Sequence, residues 1–183
     1  MVDFFDENGD VFIKLHKPSG DNVLYWETWS IDAKTAVTHW GKLGNNGDQK
    51  EVKSGNNKDL RASINNRINK LIAEGYQDIP YENYHLMILT FEMESIGEAE
   101  DLERKEDLRN MITAILGWTG NGNCDEAEVR EDKTILYADV LKPDVALQSL
   151  KAAFKEEELT GEFFVTIMKD DKILKENKKV VLK

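Results

Sequence analysis

The apolar residues of the N-terminal half change their spacing once, near residue 56, and this change limits what the chain can fold into. Before it, Val11, Ile13 and Leu15 alternate with polar residues, which is the period of a half-buried β-strand. After it, apolar residues recur at the spacing of a helix face: Leu60, Ile64, Ile68, Leu71 and Ile72. A small antiparallel sheet closed by one helix is therefore predicted.

Turn signals divide the segment before the helix into strands. The predicted strands span residues 11–17, 23–31, 36–42 and 49–53. The loop before the last strand contains Asn46 and Gly47, and Asn-Gly favours a tight hairpin because both central positions need positive φ. Asn56 or Asn57 can cap the start of the helix, and Gly75 stands where a left-handed residue is expected at its end.

The second half begins a new pattern after a linker at residues 77–84. Its predicted elements are a strand at 86–94, a helix at 98–116, strands at 126–131 and 134–141, a helix opened by Pro143, and a strand at 162–168. A turn at 169–172 predicts a terminal hairpin. The order β-α-β-β-α-β is that of ferredoxin-like folds. We therefore predict an α+β protein with two domains, residues 1–80 and 85–183.

Composition narrows the class of protein. Hydrophobic residues make up 40% of the chain and charged residues 32%, which is ordinary for a globular protein. No apolar run approaches the roughly 20 residues that span a bilayer. The acidic N-terminus lacks the features of a signal peptide, and the single cysteine, Cys124, cannot form an internal disulfide. A cytoplasmic protein without membrane contact is expected.

The charge is distributed unevenly along the chain. The formal net charge is −11, so the protein should repel polyanions unless positive charge is concentrated somewhere. Between residues 42 and 70 there are three acidic residues, Asp48, Glu51 and Asp59, and seven basic ones, giving this stretch +4 and the remainder −15. The basic residues are Lys42, Lys50, Lys53, Lys58, Arg61, Arg67 and Lys70. Such a stretch is either a binding surface for an anion or an ordinary fluctuation in an acidic protein.

A string of motifs begins at the same place. The aromatic segment Tyr25–Ile31 is followed by Trp40-Gly41-Lys42-Leu43-Gly44, then Gly47-Asp48-Gln49, and the helix ends in Glu74-Gly75-Tyr76. In this order the motifs resemble the WGR domain, and the resemblance covers roughly residues 1–84. Two positions depart from the family pattern. Lys42 replaces its Arg, and Asp48 separates a glycine and a glutamine that are adjacent in the family.

The resemblance implies a binding module rather than an enzyme. In DNA-dependent poly(ADP-ribose) polymerases the WGR domain helps to grip DNA ends and also contacts neighbouring domains. By position, Trp40 would stack on a terminal nucleotide, Gly41 would allow close approach, and Lys42 would supply the cation. A lysine offers only a point charge in place of the planar fork of arginine, so Lys42 does not reproduce the bidentate contact of that arginine.

The sequence therefore predicts a non-catalytic binding protein with no cofactor. The predicted ligand residues are Trp40, Gly41, Lys42, Lys50, Lys53 and Arg61, and the predicted ligand is DNA or another polyanion. The alternative is a pure protein–protein or interdomain module, in which the basic helix docks an acidic partner and Trp40 supports the fold. A protein partner is expected under either hypothesis.

Other candidate sites are weaker. The stretch 117–125 carries three glycines beside Trp118 but follows a helix instead of preceding one, so it is not a phosphate-binding loop. A capped helix running into a strand is the favoured interpretation. Cys124 has no cationic neighbour to activate it, and the histidines are isolated in sequence. No catalytic group and no metal site are predicted.

Overall fold

The computed structural model of the protein describes residues 2–92, 98–130 and 132–182. The chain divides into two compact units, Met1–Ile79 and Pro80–Lys183. The first contains a four-stranded antiparallel sheet with one helix, and the second a five-stranded antiparallel sheet with two. The predicted α+β class is therefore confirmed. No helix in the described ranges is both long and apolar enough to cross a membrane.

The first unit is a meander of four strands followed by a helix. Its elements are β1 (Phe12–Ser19), β2 (Asn22–Asp32), β3 (Thr35–Lys42), β4 (Asp48–Lys53) and α1 (Asn57–Ala73). The strands lie in the order β1-β2-β3-β4, each antiparallel to the next. This order follows from the short connections, because strands joined by a tight turn pair with each other.

The helix α1 covers one face of this sheet with the apolar stripe that the sequence predicts. Its buried residues Leu60, Ile64 and Ile68 belong to the same core as Leu15 and Trp26 of the sheet. The side chain of Asn56 caps the first turn by accepting a hydrogen bond from the Asp59 backbone N–H at 2.9 Å. At the other end Gly75 has φ +94°, the left-handed conformation expected after a helix.

The second unit has the predicted succession of elements. These are β5 (His85–Glu92), α2 (Glu98–Trp118), β6 (Gly122–Arg130), β7 (Lys133–Val140), α3 (Pro143–Glu156), β8 (Gly161–Lys169) and β9 (Lys172–Leu182). A short 3-10 turn at Tyr81–Asn83 precedes them. The strands lie in the order β6-β7-β5-β8-β9, and all neighbours are antiparallel. The ends of two predicted strands, Glu94 and Glu131, lie outside the described residues.

Both helices of the second unit pack on the same face of its sheet. The core contains Leu89 and Leu136 from the strands, Ile112 from α2, and Leu150 and Phe154 from α3. Alternate residues of β5 and β7 are fully buried there and only half-buried on the opposite face. The sheet therefore has one face in the core and one face that neither helix covers.

The glycine-rich stretch after α2 is a helix cap that leads directly into a strand. Gly120 has φ +69°, and the Asn121 backbone N–H donates to the Leu116 carbonyl across it, as in a Schellman motif. A Cβ at Gly122 would lie 1.9 Å from the Asp139 carbonyl, so only glycine fits between the paired strands. The prediction placed the start of this strand at residue 126, four residues too late, because glycines and asparagines normally indicate a loop.

Candidate functional site

Trp40 lies near the end of β3, on the face of the first sheet that α1 covers. Its neighbours across the sheet are Trp26 on β2 and Asp48 on β4. Trp26 is 2% exposed and belongs to the core, whereas Trp40 is 36% exposed. The indole of Trp40 is therefore partly accessible, next to a strand position whose own indole is buried in the core.

A groove of about 300 Å³ opens beside this indole, between α1 and the strands. Its apolar lining residues besides Trp40 are Trp26, Val52 and Ile64, and Thr38 and Ser63 also line it. The remaining lining residues are Trp40, Lys50 and Arg67. A partly exposed tryptophan and two basic residues therefore line one cavity.

The two cations of the groove come from different elements. Lys50 lies on β4, opposite Thr38 of β3, and Arg67 lies on α1 one turn after Ile64. Both are exposed, and neither forms an ion pair with any residue in the part of the chain that the structure describes. Their charges are therefore available to an anionic ligand.

Four of the six predicted site residues do not line this groove: Gly41, Lys42, Lys53 and Arg61. Lys42 is exposed at the end of β3, on the same face as Trp40 but beyond the cavity. Lys53 lies on the opposite face by strand alternation, and its amino group is 2.7 Å from the Glu51 carboxylate. This hydrogen bond raises the pKa of Lys53 above its usual value. Nearness in sequence therefore indicates neither the face on which Lys53 lies nor how far the cavity extends towards Lys42.

Arg61 is engaged elsewhere, at the start of α1. Its guanidinium binds the Asp3 carboxylate through Nε at 2.8 Å and Nη2 at 2.5 Å, and it also lies over the ring of Phe5. The hydrogen bond from Arg61, together with one from Asn65, lowers the pKa of Asp3 from 3.8 to about 2. Arg61 therefore fastens the N-terminal segment to the helix and does not contribute to the groove.

Gly41 has an internal role rather than one at a ligand. It faces away from the groove, and a Cβ there would lie 2.8 Å from the Gly47 Cα and 2.9 Å from the Tyr25 hydroxyl oxygen. At Gly47, with φ +66°, a Cβ would lie 2.3 Å from the Trp40 carbonyl oxygen and 2.4 Å from the same hydroxyl. The two glycines therefore let the hairpin close against Tyr25.

A buried polar network fills this reverse face. Glu27 is 2.7 Å from Nδ1 of His39 and 3.0 Å from the amino group of Lys14. The other ring nitrogen of His39 lies 2.5 Å from the carbonyl of Asn46 in the hairpin. Each charged or polar group of the network thus has a partner, so the network holds the hairpin in place without exposing a reactive group.

Tyr25, which belongs to this network, is also fully buried. Its hydroxyl donates to the Asn45 carbonyl at 3.0 Å and lies 3.0 Å from Nε2 of His39. Burial, reinforced by the negative charges of Glu27 and Asp48, raises the pKa of Tyr25 far above its usual value. The phenol is therefore neutral throughout the physiological range. Sequence reasoning missed this network, because it considered His39 alone and had no strand register to pair it with Glu27.

Among the residues that the structure describes, the other side chains with reactive or metal-binding groups form no second site. No cluster of three or more His, Cys, Asp or Glu residues suited to a metal ion exists among the described residues. Cys124 is buried, and that burial raises the pKa of its thiol to about 12, which leaves almost no thiolate at neutral pH. Trp118, the aromatic residue of the glycine-rich stretch, is half-exposed at the end of α2.

Comparison of the chain with protein-family models, with curated proteins and with solved structures gives no significant match. The resemblance to the WGR domain therefore rests on the motifs alone, and the groove is the feature from which a function has to be argued.

Proposed function

We propose that the first unit is a non-catalytic binding module that holds the end of a nucleic-acid strand in the Trp40 groove. A base or sugar stacks on the indole, and the adjoining phosphate lies between Lys50 and Arg67. The single observation that carries this proposal is that one cavity holds an accessible indole and two cations that form no ion pair among the described residues. The cytoplasmic location expected from the sequence remains part of the proposal.

The energetics favour such a ligand over a simple anion. Stacking of a base on an aromatic side chain contributes roughly 1–3 kcal/mol, and each neutralised phosphate adds affinity by releasing counterions. The cavity, at about 300 Å³, is at the lower end of the size range of ligand pockets. It suits one nucleotide at a strand end better than a continuous duplex, whose bases are covered on both sides.

Arg67 offers the contact that Lys42 lacks. A guanidinium presents a planar fork that matches a phosphate with two hydrogen bonds, and an ammonium does not. In the groove this fork comes from α1 and not from the strand that carries Trp40. The substitution of lysine for the arginine of the WGR motif is therefore compatible with phosphate binding, provided that Arg67 makes the bidentate contact.

The charge of the surroundings predicts that binding depends on salt. The stretch 42–70 carries +4 while the rest of the chain sums to −15, so this stretch attracts a polyanion although the chain as a whole repels one. Each phosphate that a lysine or arginine neutralises makes the logarithm of the binding constant fall with that of the salt concentration, with a slope of about −0.9 on duplex DNA.

The test is a fluorescence anisotropy titration of a nicked, 5′-phosphorylated DNA duplex at 50 and 200 mM salt. Trp40→Ala should weaken binding by roughly 5- to 100-fold, which corresponds to the loss of one stacking contact. Arg67→Gln and Lys50→Gln should each weaken binding and reduce the salt slope by about one.

Matched controls come from the same elements. Arg61→Gln alters an arginine of the same helix whose guanidinium is already bound to Asp3, and Lys53→Gln alters a lysine of the same strand that faces the other way. Both controls should bind as the wild type does. Equal losses in the control and groove variants would show that general charge, rather than the groove, attracts DNA.

A second candidate is supported by the apolar lining of the groove. Trp26, Val52 and Ile64 could receive an apolar side chain of a protein partner, with acidic groups on Lys50 and Arg67. Absence of DNA binding at 50 mM salt would reject the nucleic-acid proposal. A titration with an acidic peptide that carries one aromatic residue would then test the protein-interaction function on the same variants.

A further inference from the structure

One flank of α1 continues the side of the Trp40 groove towards the end of the helix. Ser63 and Arg67 line the groove, and residues three or four positions apart lie on the same side of a helix. Lys70 and Glu74 therefore follow Arg67 along this flank. The amino group of Lys70 is 3.9 Å from the Glu74 carboxylate, and both side chains are exposed. Because such an exposed pair contributes little, Lys70 can exchange this partner for a phosphate.

Two further lysines lie on the sheet at this end of the groove. The pairing of β1, β2 and β3 places Lys17, Leu24 and Lys42 in one row, here called the lysine row. Strand alternation puts it on the face that α1 covers, two residues past Trp40, or roughly 7 Å along the strand. The amino group of Lys17 is 5.6 Å from the centre of the Tyr76 ring, so the segment after α1 reaches the row. The lysine row therefore extends the sheet side of the groove towards β1.

Carboxylates lie around the lysine row and not within it. They include Asp48 on the edge strand β4, Asp21 in the turn between β1 and β2, Asp78 after the bridge from Gln77 to His16, and Glu74 at the end of α1. Lys17 and Lys42 form no ion pair with any residue in the ranges of the chain that the structure describes. A polyanion that leaves the groove therefore meets cations across β3, β2 and β1, and a carboxylate if it turns towards β4.

We propose, building on the function proposed above, that the ligand of the groove is a single strand of at least three nucleotides. Its terminal nucleotide stacks on Trp40, and the strand leaves the groove over Lys42 and continues over Lys17. These two lysines lie on strands roughly 10 Å apart, so each binds a different phosphate. The helix α1 bounds the path on one side, which favours one strand over a duplex.

The residue between the two lysines suits the same ligand. Leu24 is half-buried and offers an apolar surface to a sugar or base, while Lys17 and Lys42 on either side of it bind phosphates. A mononucleotide in the groove reaches Lys50 and Arg67 but not the lysine row. Affinity should therefore depend on the length of the ligand.

The first test measures this dependence on length. Unlabelled 5′-phosphorylated oligothymidylates of one, two, four and eight nucleotides compete with a 3′-fluorescein octanucleotide for the full chain, and anisotropy is read at 50 and 200 mM salt. The affinity should rise about tenfold or more from one to four nucleotides, because two further phosphates are neutralised. The salt slope should steepen by about 0.7 for each of these phosphates.

Lysine variants test the path of the strand. Lys42→Gln and Lys17→Gln should each weaken binding of the octanucleotide about threefold or more and flatten its salt slope by about 0.7, and mononucleotide binding should not change. The matched control is Lys58→Gln, which alters an exposed lysine in the first turn of α1, on the flank of Arg61 and away from the groove. This control should bind both ligands as the wild type does. Far-UV circular dichroism confirms that each variant is folded.

Several results would overturn the path and leave the groove in place. They are a mononucleotide that binds as tightly as the octanucleotide, an octanucleotide that does not bind although the nicked duplex does, and a loss in Lys42→Gln or Lys17→Gln no larger than that in Lys58→Gln. A wild type that binds neither the octanucleotide nor the nicked duplex at 50 mM salt rejects the proposed function, and the path with it. The two failures are therefore distinguishable.

Discussion

The two faces of the first sheet differ in the ion pairs that their charged groups form. On the reverse face, Glu27 lies at hydrogen-bond distance from both Lys14 and His39, and both Glu27 and His39 are buried. On the face beside α1, Lys50 and Arg67 are exposed and form no ion pair within the described ranges of the chain. The charges of one face are paired with each other, whereas the two cations of the other face are exposed to a ligand.

This difference shows that neighbours in a motif need not share a role. Successive residues of a strand point to opposite faces, so Trp40 borders the groove while His39 and Gly41 pack into the reverse face. The tripeptide Trp40-Gly41-Lys42 is therefore not one binding surface. Gly41 lets the hairpin close against Tyr25, and Trp40 lines the groove.

The difference between the two faces can be tested first by disrupting the packing of the reverse face at Gly47, where neighbouring atoms approach closely. Gly47→Ala requires an L residue at φ +66° and places a Cβ within 2.4 Å of both the Trp40 carbonyl and the Tyr25 hydroxyl oxygens. A left-handed backbone costs about 1–2 kcal/mol, and overpacking costs about 1–3 kcal/mol. We expect the free energy of unfolding in urea to fall by about 2–4 kcal/mol.

Gly20→Ala is the matched control for this substitution. Gly20 also has a left-handed φ, +59°, but no atom lies within 4 Å of the position its Cβ would take. It should therefore lose only the backbone contribution, about 1–2 kcal/mol. If the two variants were equally destabilised, the contact between the hairpin and Tyr25 would contribute nothing.

The second test removes the carboxylate of Glu27, which contacts both Lys14 and His39 in the buried network. Glu27→Gln leaves His39 and Lys14 without a carboxylate, and breaking a buried ion pair is costly because the remaining charge stays desolvated. Since Lys14 is partly exposed, we expect a loss of about 2–3 kcal/mol in urea denaturation. Glu51→Gln, which breaks the exposed pair with Lys53, should change stability little.

Glu27→Gln also tests whether the two faces of the first sheet have separate roles, when its DNA binding is measured. If the two faces have separate roles, Glu27→Gln should retain wild-type affinity under conditions in which it is fully folded. A folded Glu27→Gln protein with reduced affinity would show that the reverse face contributes to binding directly. Anisotropy at 50 mM salt, with folding checked by circular dichroism, distinguishes the two results.

The elements of the fold could be predicted from local patterns. Period-two alternation identified the strands, and the stripe from Leu60 to Leu71 identified α1, because each face buried against the core leaves its own periodicity in the sequence. The start of β6 was missed because its requirement for Gly122 comes from a backbone in another strand, the Asp139 carbonyl. A contact of that kind leaves no local pattern.

The candidate site was predictable only in part, for the same reason. Trp40 and Lys50 were identified from the motif and the local charge, but Arg67 reaches the groove from α1 and was counted only as part of a basic stretch. Lys53 and Arg61 were assigned to the site because composition does not show that each has an acidic partner, Glu51 and Asp3. Charged residues can be counted in a sequence, but whether each of them forms an ion pair depends on which side chains meet in the fold.

The smallest expected effect concerns Arg61, the cation that is already bound to Asp3. Because Arg61 holds the pKa of Asp3 at about 2, below its usual 3.8, this pair stabilises the fold above about pH 4. The contribution is lost as the pH falls from about 4 to about 2, where the folded-state carboxyl becomes protonated. Carbon-13 NMR titration should show Asp3 ionising near pH 2, and Arg61→Gln should move this midpoint most of the way to 3.8, with the Asn65 hydrogen bond keeping it slightly lower. If Asp3 in the wild type titrates at its ordinary pKa, Arg61 is not engaged, and the distinction between it and Arg67 fails.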